Sequence, residues 1–167
     1  MSGTEGVRIP LYKRGDSILC GYAIVDADDA PRTMQYIWRP ANSGRYARAW
    51  GVQAGGRIYL HQFIAGTTNV DHHNGNGLDN RRLNLRPCTR IQNMQNKRVP
   101  CTNTSGYKGV RRVQETGRYK ATITANKERV HLGYHQTPEQ AARAYNDAAV
   151  RLHGTFARLN VIEEQRP

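Results

Sequence analysis

The stretch VDHHNGNGLDNRRLNLRPCTRIQNMQN, residues 70–96, decides how the middle of this chain folds. Val70–Asp71–His72–His73 reads as a strand. Asn74–Gly75–Asn76–Gly77 holds two Asn-Gly pairs, the strongest short turn signal. Asp79–Asn80–Arg81–Arg82 leads into a second strand that carries Asn84 and Leu85. Thr89 is placed to cap a short helix through Asn96, because a threonine hydroxyl can accept from the first free amides of a helix. Strand, loop, strand and helix make a ββα unit whose helix folds back over the hairpin.

That reading brings polar side chains together. Asp71 and His72 end the first strand, Asn84 follows on the second, and Asn93 sits on the helix. Phosphodiester hydrolysis needs an activated water, a counter-charge at phosphorus and help for the departing oxygen. A neutral imidazole can take a proton from water near neutral pH, which makes His72 the general base. Mg²⁺ or Mn²⁺ prefers oxygen donors and keeps several waters, so one carboxylate and one amide carbonyl suffice. Asp71 and Asn93 supply those oxygens; Asn84 holds the hairpin and orients the imidazole. His73, one residue on, points to the other strand face and reads as solvent-facing. His61 reads as a packed ring or a phosphate contact.

Asp71–His72, Asn74–Gly75–Asn76, Leu78–Asp79–Asn80–Arg81–Arg82, Asn84–Leu85–Arg86 and Gln92–Asn93–Met94–Gln95–Asn96 resemble the HNH endonuclease family, in particular its phage and intron-associated homing branch. Tyr59–Leu60–His61–Gln62–Phe63–Ile64 matches more loosely, with Gln62 where relatives carry a basic residue. The resemblance implies the same roles for Asp71, His72, Asn84 and Asn93.

Composition agrees. Lys and Arg total 25 against 13 Asp and Glu, for a net charge of +12, which favours a polyanionic partner. The excess is dispersed through patterned segments, so it reads as a folded basic surface. Arg81, Arg82 and Arg86 are candidate DNA contacts beside the nuclease site. No segment pairs a large apolar face with a basic one, which argues against membrane binding. Cys20, Cys88 and Cys101 lie far apart with no Cys-x-x-Cys pair, so a thiolate zinc site is not expected. An odd cysteine count without a signal peptide fits reduced thiols inside a bacterial or phage-infected cell.

The flanks read differently. Residues 1–66 read as a small β-rich support: strands over Ile18–Val25, Tyr36–Trp38, Tyr46–Val52 and Arg57–Leu60, a turn at Ala54–Gly55–Gly56, and a short helix at Leu60–Ile64. Residues 98–103 read as a linker and 161–167 as a tail. Over 104–160, three strand runs (Tyr107–Val113, Arg118–Thr124, Glu128–Tyr134) precede a helix capped by Thr137, with Pro138 in its first turn and Gln140 completing a capping box. Ala141, Ala144, Tyr145, Ala148, Ala149 and Leu152 recur at helical spacing, and Gly154 stops the helix.

In that sheet Tyr119, Ala121, Ile123, Val130 and Leu132 face the helix. Lys108, Arg111, Lys120, Thr122, Thr124, Arg129 and His131 face out, and Arg112 joins them as a candidate contact. A basic sheet face can enter a major groove. Tyr107, Gly109–Val110–Arg111, Gly117–Arg118–Tyr119, Leu132–Gly133, Ala141–Ala142, Ala144–Tyr145, Asp147–Ala148–Ala149 and Leu159–Asn160 resemble the plant ethylene-response-factor DNA-binding domain. The resemblance implies groove binding by the sheet. His131 stands where a Trp is usual, and Thr122 and Thr124 replace charged readers, so the plant target sequence does not carry over.

The expectation is an α+β protein: a β-rich N-terminal region, a ββα-metal nuclease core over 67–97, and a three-stranded sheet on one helix. It cuts or nicks double-stranded DNA, as monomer or dimer. The rival is a non-catalytic DNA-binding regulator with a decayed nuclease core. An RNA-binding module fits less well, because base-stacking aromatics are missing from the expected outer sheet face.

Overall fold

The computed structural model describes residues 6–13, 15, 18–51 and 56–162. The fold is α+β, and it divides between Arg90 and Ile91 into two compact units.

The first unit opens with an antiparallel hairpin of β1 (Val7–Tyr12) and β2 (Leu19–Val25). Alternation sends Ile9, Leu11, Ala23 and Val25 into one core. A turn of helix, α1 (Ala30–Thr33), follows. Sequence reading missed it and placed a strand at Tyr36–Trp38. Those residues instead form an irregular segment that delivers Trp38 to the core, where its indole N–H donates to the Thr33 carbonyl at 2.8 Å. Trp38 bridges to Leu11, and β3 (Arg39–Ala41) then joins β4 (Tyr46–Gly51) and β5 (Gly56–Tyr59) in the order β3-β4-β5. Most of the expected Ala54–Gly55–Gly56 turn lies outside the described residues. Helix α2 (Leu60–Ala65) buries Leu60 and Ile64 against the same core.

The hairpin of β6 (Val70–His72) and β7 (Leu85–Pro87) completes this unit. Its long connection is fastened to β2: the Ile24 amide donates to the Leu78 carbonyl and the Asn80 amide to the Ile24 carbonyl, both at 2.7 Å. Leu78 and Leu85 pack on the common core. No boundary therefore separates 1–66 from the hairpin. Asn84 ends a 3-10 turn (Arg82–Asn84) rather than lying on the second strand.

The boundary falls after the first residue of α3 (Arg90–Gln95), and the second unit, from Ile91 on, includes the expected linker. Strands β8 (Val110–Arg112), β9 (Tyr119–Ala125) and β10 (Glu128–His135) form an antiparallel sheet in the order β10-β9-β8. Helix α4 (Pro138–His153) covers it with Ala141, Ala142, Tyr145, Ala148 and Ala149. The Thr137 hydroxyl accepts from the Gln140 amide at 3.2 Å, as a cap should. The Gln140 side chain reaches the Gln136 amide instead of closing the box on Thr137. Small alanines let the helix approach closely. Gly109 carries this furthest: at φ +77° it sits so near Tyr145 that a Cβ would strike the ring. Among the described residues, no helix is long and apolar enough to cross a membrane.

Candidate nuclease site and nucleic-acid interface

Asp71, His72 and Asn84 come together in the β6–β7 hairpin, all three buried. Asn84 is the organiser of the connecting loop. Its Nδ2 donates to the Asp79 carbonyl at 2.6 Å, and its Oδ1 accepts from the Asn74 amide at 2.9 Å. Asn74 in turn donates to Asp79 Oδ2 at 2.9 Å. Gly77 lets the loop tuck under the start of β4, since a Cβ there would collide with the Arg45 carbonyl and the Tyr46 ring. The loop is thus cross-braced on three sides, and its polar side chains are spent on holding shape.

His72 and Asp71 are adjacent on a strand, so they leave it on opposite sides. His72 enters a ring cluster: its centroid lies 5.1 Å from His61 and 5.8 Å from Tyr46. Its Nε2 meets Asn80 Oδ1 at 3.3 Å. Sequence reading missed Asn80, which is fully buried and whose only outward sign was an Asn in a polar loop. Burial pushes the His72 imidazole below its usual 6.5, against the opposing pull of the Asn80 hydrogen bond and the charges of Asp71 and Asp79. His61 is packed, between Tyr46 and Tyr59 at 5.5 Å each. Its Nδ1 is buried without a partner among the described residues. Burial, then the neighbouring His72, drives its pKa down to about 4. His73 is exposed.

Asp71 pairs across the strands with Arg86, whose Nε and Nη2 reach Oδ2 at 3.0 and 2.7 Å. Arg86 is therefore a charge partner of the proposed metal ligand, not a free DNA contact. Arg81 and Arg82 are ion-paired as well. Arg81 grips Asp79 with two bonds of 2.8 Å, and Arg82 grips the buried Asp29 at 2.8 and 2.7 Å. Burial would raise the Asp29 carboxyl, but Arg82 and Arg32 outweigh it and hold it below the usual range. These three arginines neutralise three buried carboxylates and so tie the loop to the rest of its unit.

Asn93 is exposed on α3, in the second unit. Among the described residues no three His, Cys, Asp or Glu side chains gather as a metal cage. In the hairpin unit Asp71 offers a buried carboxylate, an oxygen donor. That suits a hard divalent cation that keeps much of its own water.

The second unit presents the expected polar sheet face, with changes. Cross-strand pairs Arg111–Lys120, Thr122–His131 and Thr124–Arg129 lie on it. Arg111, Lys120, Thr122 and Arg129, with Asn103, line a concavity of about 250 Å³. Arg112 pairs with Tyr119 and so belongs to the helix side of the sheet, exposed at its edge. Lys108 is also corrected. Its ammonium is bound by the carbonyl oxygens of Gln95 and, at 2.8 Å, Lys97. Burial, then Arg158, lowers its pKa to about 8. Val130, expected inward, is 39% exposed.

A bulge between His131 and Tyr134, at Gly133 with φ +107°, shifts the register by one residue. Tyr134 thereby turns outward, opposite Lys120, with its ring 4.8 Å from His131 and under the Lys120 ammonium at 5.8 Å. An aromatic ring on this face is invisible to simple alternation.

Comparison with known proteins gives two kinds of relative. HNH endonuclease L560 of Acanthamoeba polyphaga mimivirus is 34% identical over 151 residues, covering 85% of this chain and 76% of that protein. Protein 3.8 of Escherichia phage T7 is 34% identical over 90 residues, 54% of this chain and 74% of that one. The AP2-like ethylene-responsive transcription factor TOE2 of Arabidopsis thaliana is 37% identical over 68 residues, 41% of this chain but 14% of the plant factor. No model of a known protein family matches the chain, and no solved structure does.

Proposed function

The chain belongs to the HNH endonuclease family, and from that premise we propose that it binds duplex DNA through its second unit and hydrolyses a phosphodiester bond at His72. The observation that carries the reading is the state of His72. It is a buried imidazole, held neutral at physiological pH, inside a loop locked by Asn84, Asn74 and Asp79.

A neutral imidazole has one protonated and one basic nitrogen. With Nε2 turned to Asn80 Oδ1, the proton sits on Nε2 and Nδ1 is basic. Nδ1 takes the proton from water, the hydroxide attacks phosphorus, and the sugar oxygen departs. Asp71 is the residue of this unit that would hold Mg²⁺ or Mn²⁺, since a hard divalent cation takes a carboxylate oxygen and keeps much of its own water. That ion, when bound, supplies charge neutralisation at phosphorus and at the leaving oxygen. Arg86 holds the Asp71 carboxylate in place through its Nε and Nη2 bonds.

In the second unit, Arg111, Lys120, Arg129, His131, Thr122 and Thr124 form the DNA-reading face, and Tyr134 joins them. The relatives named as AP2-like and ethylene-responsive transcription factors support a DNA-binding role for this unit. The cations of this face make binding fall steeply with salt.

Supercoiled plasmid in Mg²⁺, with and without EDTA, tests the reading. Open circles that form only without chelator support one cut per event, and linear product indicates paired cuts. If DNA is bound but stays supercoiled in both Mg²⁺ and Mn²⁺, the chain is a DNA-binding regulator instead.

A further inference from the structure

The outer face of the β3-β4-β5 sheet has no part in the chemistry described so far. Its composition is unlike that of an ordinary solvated sheet. Cross-strand register places Arg39 beside Arg48, Arg48 beside Tyr59, and Trp50 beside Arg57. Tyr46 and Tyr59 share this face, with rings 6.3 Å apart. The opposite face, with Ala47, Ala49 and Ile58, packs on the core. The three strands contain no Asp or Glu.

Two features set this face apart. First, Trp50 is 80% exposed, whereas the chain's other tryptophan, Trp38, is 1% exposed. A tryptophan left in water is costly unless something covers it in use. Second, the guanidinium groups of Arg48 and Arg57 form no hydrogen bond or ion pair with any described residue, while Asp29, Asp71 and Asp79 are each held by other arginines. Arg39 is partly committed, since it donates to the Lys13 carbonyl. The free cations are therefore those flanking the exposed indole.

The face also leads somewhere. Tyr46 and Tyr59 pack on His61, and Tyr46 packs on His72. From Trp50 along β4 to Tyr46 is about 13 Å, about four base-pair steps of duplex. We infer that this sheet face is a second DNA-binding surface, which holds the DNA flanking the scissile phosphate. Arg48 and Arg57 contact successive phosphates, and Trp50 lies against a base or sugar of the same segment. Charge complementarity selects the partner: a face with free arginines and no carboxylate suits a polyanion, and an exposed indole suits the sugar and groove-edge surface between its phosphates. The inference takes its ligand from the nuclease reading, yet it concerns binding alone.

Both tryptophans lie in the first unit, so tryptophan emission reports on this surface and not on the second unit's sheet. The experiment uses the full chain, sheared duplex DNA and EDTA to prevent cutting, with acrylamide as quencher. In the free protein Trp50 is quenched and Trp38 is not. Saturating DNA should shield Trp50. Trp50→Ala should weaken binding about five-fold or more, and Trp50→Phe should restore most of it. Arg48→Gln with Arg57→Gln should lower the slope of log affinity against log salt by about 0.9 for each phosphate contact removed.

The inference is overturned if Trp50 stays as quenchable with DNA bound as without it. It is equally overturned if the arginine variant keeps the wild-type salt slope. The two readings fail separately. Shielding of Trp50 by a protein that never cuts in Mg²⁺ leaves the surface standing and removes the nuclease. Cutting with Trp50 unshielded does the reverse.

Discussion

Lowering the pH should weaken the first unit in a way that depends on His61. Its imidazole has a pKa of about 4 when folded, against 6.5 in the unfolded chain. Between those values the unfolded chain binds the proton and the folded chain does not. Stability is therefore fully present above 6.5 and is lost as pH falls toward 4. At about pH 5 the His61 contribution to the loss is about 2 kcal/mol, relative to neutral pH. His61→Phe keeps a ring between Tyr46 and Tyr59 but has nothing to protonate. Urea titrations followed by tryptophan emission isolate this unit, because Trp38 and Trp50 both belong to it. Wild type should lose about 2 kcal/mol more than His61→Phe between neutral pH and about pH 5. His72 adds a loss of the same sign to both proteins, so the difference between them reads His61 together with its coupling to His72. Equal losses in the two proteins would refute the reasoning, because His61 would then titrate as if exposed.

Other substitutions probe the remaining parts. Arg86→Met strands the Asp71 carboxylate and should cost up to about 3 kcal/mol in the same urea assay, with much of it recovered by adding Asp71→Asn. Gly109→Ala forces a side chain into Tyr145 at a positive φ and should cost the second unit about 3 kcal/mol, read by hydrogen exchange of β8 to β10. Asn80→Leu releases the imidazole from its orienting partner. It should lower kcat roughly 10- to 100-fold with little change in KM or DNA affinity.

The second unit was the more legible in sequence. Its strands alternate, its turns are marked by Gly117 and Asn126, and its helix carries a cap, a small-residue stripe and a glycine stop. The bulge at Gly133 was not legible, because one extra residue leaves the alternation plausible while turning Tyr134 to the other face. The hairpin site was legible in outline, since Asn-Gly pairs and the Asp71–His72 spacing survive any detail of packing. Charge pairing was not. Arg81, Arg82 and Arg86 look in sequence like a basic run reaching for phosphate, and only the fold shows Asp79, Asp29 and Asp71 beneath them. Lys108 misled for the same reason, with backbone carbonyls as the hidden partners. The first unit was least legible, because its core draws single residues from β1, β2, α2 and the Trp38 segment rather than from one periodic run.

The most direct test of the account is cleavage by His72→Ala beside wild type, with DNA binding measured on the same samples. The account predicts that binding stays close to wild type while Mg²⁺-dependent strand scission is abolished. Scission by the variant at the wild-type rate would contradict it, because the general base would then lie elsewhere.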